Sequence, residues 1–186
     1  MLLFVGLGNP GIEYANNRHN LGFMAIDRVV EKYNFTGYQS KFLGQFSSGK
    51  INSQRIGALK PSTFVNGSGK SVLSAINFFK LKTEQVVVFH DDLDLKASDI
   101  RIKQGGGHGG HNGLRSISES IGSDYRRGRM GIGRPPAKDQ VVDYVLKNFS
   151  TDEQVWVKKV MDIIQSEIAI VVENNSGAFK KVEIKY

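Results

Sequence analysis

The feature that most constrains the fold lies at the amino end. An apolar run, Leu2 to Leu7, contains Gly6 and is closed by Gly8, and after a polar interval a helix-period segment follows from Leu21 to Tyr33, with Met24, Ala25 and Val29 on its apolar side. A short apolar run bounded by glycine reads as a buried strand, and strand followed by helix opens an α/β fold. Further strands are expected at 44–50, 54–59, 85–90, 98–103 and 128–132. Helices are expected at 66–79, 112–121 and 151–172, the last introduced by Ser150 and Glu153 at capping-box spacing. The expected architecture is one α/β domain over residues 1–186, a central mixed β-sheet flanked by helices on both faces. Such sheets place their chemistry in loops beyond the strand ends. The loops 6–20, 90–94 and 103–112 hold all four histidines, His19, His90, His108 and His111, and 61–68 is a fourth polar loop.

Composition narrows the class. A chain of 186 residues can bury its own core but is too short for separate cofactor and substrate domains. Without cysteine it has no disulfide, zinc ribbon or thiol nucleophile. The opening lacks a secretory pattern and no apolar run is long enough to span a bilayer, so a soluble, cytoplasmic protein with no membrane association is expected. The net charge of +7 is concentrated. Residues 101 to 138 carry Arg101, Lys103, Arg115, Arg126, Arg127, Arg129, Arg134 and Lys138 against Glu119 and Asp124. Clustered cations gain from counterion release on a polyanion, so a phosphate-rich partner competes with a merely solvated face.

Three glycine-rich stretches imitate nucleotide-binding motifs. Gly6, Gly8 and Gly11 have dinucleotide-fold spacing, but Pro10 interrupts them, the helix starts too late, and no acidic residue ends a second strand at the required distance. The segment "FVNGSGKS" has Phe64 where a P-loop needs its first glycine. "GGGHGG", 105–110, lacks a ribose-binding acid and instead describes a loop that approaches a ligand closely or moves.

What remains suits hydrolysis. His19 needs a carboxylate to hold its tautomer if it is to take a proton from water, and Asp91 in "FHDDLD" is the natural partner. Asn9, Asn66 and Asn112 can donate to an oxyanion or accept from a peptide amide. No serine occupies a nucleophile-elbow motif, which favours direct attack by water. Each residue also has a structural reading as a cap, a turn or a satisfied buried histidine.

Together, "VGLGNPGIEYANNRHNLG", "KPSTFVNGSGK", "FHDDLDL", "GGGHGGHNGLRSI" and "RMGIGRP" make the sequence resemble the bacterial-type peptidyl-tRNA hydrolase family over its first three quarters. The resemblance implies hydrolysis of the ester between a peptide and the 3′ ribose of tRNA, by a monomer, with tRNA as partner and without metal or organic cofactor. It implies His19 as the base, Asp91 as its partner, and Asn9 placing the ester. It assigns Tyr14, Phe64, Asn66 and Asn112 to the acyl part and Lys103 and Arg129 to the tRNA 5′ phosphate. Either Asn112 or His111 is left to hold the water. Val65 stands where the family often has methionine. Two other classes compete: an RNA-binding relative without hydrolysis, and a metal hydrolase using Asp91, Asp92, Asp94, His108 and His111.

Overall fold

The structure, a computed structural model, describes residues 1–173; the expected domain's last residues, 174–186, lie outside them. Seven strands, β1 (Leu2–Gly6), β2 (Gln39–Lys41), β3 (Gly44–Ile51), β4 (Gln54–Pro61), β5 (Val86–Asp92), β6 (Ile100–Gln104) and β7 (Arg126–Gly131), form one sheet in the order β2-β3-β4-β1-β5-β7-β6. Strands β4, β1, β5 and β7 are parallel, and β2, β3 and β6 pair antiparallel with their neighbours. The sheet is therefore mixed, as expected, with a parallel centre.

Parallel strands are covered on both faces, and the alternation along β1 shows how. Leu2 and Phe4 point into a core with helices α1 (Leu21–Lys32) and α5 (Thr151–Glu173). Leu3 and Val5 point into a second core with α2 (Ser68–Phe79) and α3 (Asn112–Ile121). Each fully buried side chain of this size contributes roughly 1.5–3 kcal/mol. Gly22 lets α1 lie directly on the sheet, because a Cβ there would overlap the Phe89 carbonyl oxygen and the Leu7 backbone nitrogen. The anticipated capping box is formed: Ser150 Oγ accepts from the Glu153 amide at 3.2 Å, and Glu153 Oε2 accepts from the Ser150 amide at 2.8 Å.

Two elements and one residue depart from expectation. Strand β2 has three exposed residues and no apolar alternation to announce it. Helix α4 (Val141–Leu146) is six residues long, too short to show periodicity. His90 belongs to β5 and is buried, so one of the four expected loop histidines is a strand residue.

Candidate active site

At the carboxyl edge of β1, β4, β5 and β7 lies a cleft of about 630 Å³. Asn9, His19, Phe64, Asn66, Asp91, Lys103, His111, Asn112 and Arg129 all line it. Tyr14 stands behind this wall, its ring packed edge-on against Phe64 with centroids 6.5 Å apart.

The centre of the cleft is a three-residue network. Asp91, at the end of β5, is buried and meets two imidazoles. His19 Nδ1 lies 2.9 and 3.1 Å from its carboxylate oxygens, and His111 Nε2 lies 3.1 Å from Oδ1. The tautomers follow from these bonds. His111 caps α3, its Nδ1 accepting from the Gly113 and Leu114 amides at 3.1 and 3.4 Å, so its proton sits on Nε2 and is donated to Asp91. Asp91 likewise takes the Nδ1 proton of neutral His19, which leaves the His19 Nε2 lone pair free.

The electrostatics agree with this arrangement. Burial alone would raise the Asp91 pKa, but His19 and His111 outweigh it and hold the carboxyl well below its usual range. Burial opposes the charged form of His19, and the charge and hydrogen bond of Asp91 more than offset it, placing the ring above its ordinary value. His90 is opposite in character. Burial first, then neighbouring His111, pushes it down to about 4, while its Nδ1 donates to the Asp91 carbonyl at 2.7 Å.

Asn9 is fixed by a reciprocal pair with Asn20: its amide donates to Asn20 Oδ1 and its carbonyl accepts from Asn20 Nδ2, both at 2.9 Å. Its own Oδ1 accepts from the Val65 amide at 2.9 Å. The Asn9 Nδ2 therefore remains as a donor for the cleft. Sequence reasoning overlooked Asn20, although its place beside His19 in the same polar loop was visible.

It also overlooked Arg18. This guanidinium, almost buried, donates to the Tyr144, Lys147 and Asn148 carbonyls and to both Glu153 oxygens at 2.6 and 2.7 Å. It lies 4.5 Å from the centre of the Tyr144 ring. The turn that carries His19 is thus fastened to α4, whose Val141, Val142, Val145 and Leu146 form an apolar wall of the cleft.

The basic end rests on β6 and β7. Strand alternation puts Arg127 and Arg129, with their register partners Lys103 and Arg101, on one face of the sheet. Arg129 Nε donates to Asp92 at 2.7 Å, and burial of Asp92 is overcome by that bond, so the carboxyl stays ionised below its ordinary value. Arg134 pairs with Asp94. Among the described residues, Lys103 has no carboxylate within ion-pair distance. The cationic surface is smaller than the sequence count of eight, because Arg126 and Arg127 are each only 3 % exposed. Arg126 donates to the Val171 carbonyl beneath α5 at 2.9 Å, and Arg127 holds the glycine loop through the Gly106 and Gly107 carbonyls.

The five-residue metal set weighed from sequence does not assemble. Asp92 and Asp94 are taken by arginines, and His108 accepts from the Gly110 amide. Among the described residues, the group whose ligating atoms come together, within 4.8 Å, is His19, Asp91 and His111. A cation there would have to displace both protons that already satisfy Asp91.

Known proteins resemble this chain over nearly its whole length. The family model described as Peptidyl-tRNA hydrolase matches residues 3–185. A peptidyl-tRNA hydrolase of Ruegeria sp. is 50 % identical over 179 residues, 96 % of this chain and 72 % of that protein. One from Nitrobacter winogradskyi is 46 % identical, covering 97 % and 89 %. The crystal structure of peptidyl-tRNA hydrolase from Acinetobacter baumannii superposes with a TM-score of 0.89 at 38 % identity, covering 97 % of this chain and 96 % of that one. With a model match over nearly the whole length and relatives near half identity, the chain belongs to the peptidyl-tRNA hydrolase family.

Proposed function

We propose that this enzyme of the peptidyl-tRNA hydrolase family cleaves the ester between a peptide and the 3′ ribose of tRNA with His19 as general base. The observation that carries the reading is the tautomer lock: Asp91 takes the His19 Nδ1 proton, so the opposite nitrogen is the one that removes a proton from water. Water attacks the ester carbonyl, and the charge that develops on its oxygen falls within reach of the Asn9 Nδ2 donor. The protonated His19, stabilised by Asp91, then returns its proton to the departing ribose oxygen. Both ring nitrogens of His111 are already committed, which supports Asn112 over His111 as the group that holds the water.

Asn66 and Asn112 present amide groups to the acyl side of the cleft, with Phe64 beside them and Tyr14 supporting Phe64. Lys103 and Arg129 take the 5′ phosphate of the tRNA. The chain works as a monomer in the cytoplasm. No described helix is long and apolar enough to cross a membrane. The assembled His–Asp pair speaks for hydrolysis against mere RNA binding, which has no use for a locked base. The test is peptide release from an N-acetylaminoacyl-tRNA beside its free-amine counterpart. Cleavage of the blocked substrate alone is expected, and equal rates on both would refute the acyl assignment.

A further inference from the structure

The cleft has a direction. From β6 and β7, with their cations, it passes His19 and Asp91 at β1 and β5 and reaches Phe64 and Asn66 just after β4. The next feature on the same edge is the two-residue turn joining β2 to β3, because Gly44 pairs with Pro61 at the carboxyl end of β4. That turn is tied to the segment leading into the cleft and to α2: the Leu43 carbonyl accepts from the amide of Ser62, two residues before Phe64, at 2.9 Å, and the Phe42 carbonyl from Ser71 Oγ at 2.6 Å.

The turn has unexpected residues. Phe42 and Leu43 both adopt the left-handed conformation, with φ of 57° and 53°. Asparagine or glycine suits such positions and large side chains do not. The hairpin turn at the opposite edge of the same sheet, between β3 and β4, has Asn52 at φ 53°. Phe42 recovers its strain by packing against Phe46, Phe78 and Phe79. Leu43 does not, being 60 % exposed, and Phe64 at the end of the cleft is equally exposed. An apolar side chain is thus held in water, in a conformation it disfavours, on the same sheet edge as the acyl end of the cleft.

We infer that the peptide of the substrate leaves the cleft across this turn, and that Leu43 forms an apolar subsite for peptide residues remote from the ester. This rests on the ester-hydrolase reading above. The tRNA body is drawn to the cationic end, so a peptide extending from the same carbonyl runs the other way, past Asn66 and Phe64. Strands lie about 4.8 Å apart and an extended chain advances about 3.4 Å per residue, so the two or three strand spacings from the His–Asp pair to the turn correspond to roughly the third or fourth residue.

The test uses three tRNA substrates: N-acetylleucyl-tRNA, a pentapeptidyl-tRNA with leucine third and fourth from the ester, and the same pentapeptide with serine there. Wild type should have the lowest KM for the leucine pentapeptide. Leu43→Asn, which suits the left-handed turn, should raise that KM by about fivefold, a part of the value of burying one leucine. It should leave kcat and the other two substrates unchanged, and Leu43→Met should keep the wild-type preference. Identical KM values for wild type and Leu43→Asn on all three substrates would overturn the subsite. So would an equal loss on N-acetylleucyl-tRNA, which would make Leu43 a support of the catalytic loops. If wild type cleaved none of the three, the ester-hydrolase reading itself would fall, and the subsite with it.

Discussion

The centre of the cleft and its cationic end are built on opposite principles. Around His19, Asp91 is buried, both of its imidazole partners are pinned, and every bond is between fixed elements. At the Lys103 end, the cations stand on an open strand face, Arg129 shares its guanidinium with Asp92, and Arg134 is half exposed in its pair with Asp94. Proton transfer depends on placement to a fraction of an ångström, so reacting groups gain from a dry, rigid setting. Phosphate binding draws on counterion release and tolerates imprecise placement. The contrast predicts that damage at the centre appears in turnover and damage at the cationic end in affinity.

The largest expected effect comes from His19→Ala, with kcat falling by about 10² to 10⁴ while tRNA binding persists. Single-turnover rates beside filter binding separate the two, and a coincident loss of binding would blur the division. Asp91→Ala follows, with a smaller loss of kcat because water can partly replace the orienting carboxylate. It also alters the pH profile. His19 must be neutral to act and its pKa is raised, so wild-type kcat rises with pH through a midpoint above 6.5. Removing the carboxylate that raises it should move this midpoint toward acid, and an unmoved acid limb would contradict the partnership.

The smallest effects belong to the cationic end. Lys103→Ala and Arg129→Ala should raise KM with little change in kcat, since a contact equally strong in ground and transition states does not speed bound substrate. Each lost phosphate contact should reduce the salt-dependence slope of binding by roughly 0.7 to 0.9. Arg129→Ala should cost more than Lys103→Ala, because it leaves the Asp92 carboxylate unpaired beside the phosphate. A short ester without the tRNA body should be cleaved equally by wild type and both variants; a loss there would make these residues part of the chemistry.

Much of this was legible in the sequence, for local reasons. The first strand and helix, the Ser150–Glu153 cap, the loop with His19 and the strand end with Asp91 were carried by patterns a few residues long. What was not legible depended on direction and distance. The run "YRRGRM" reads as uniformly cationic, yet alternate strand positions send Arg126 beneath α5 and Arg127 beneath the glycine loop. Arg18 finds Glu153 across 135 residues of sequence, a separation no spacing rule spans. The roles of His111 became readable only when the α3 amides showed which ring nitrogen accepts.

Arg18 has a consequence for inheritance. Residue 18 sits next to His19, while the carbonyls and carboxylate that hold it come from 144 to 153, and Asn17 also bridges to Asn148. Loss of Glu153 would leave a nearly buried guanidinium with only backbone carbonyls for partners, at a cost of about 1–3 kcal/mol. The two segments therefore behave as one heritable unit. A chimera that takes its first half from one relative and its last helix from another inherits an intact His19 and Asp91, and still loses the seat of His19 unless the arginine and glutamate arrive as a matched pair.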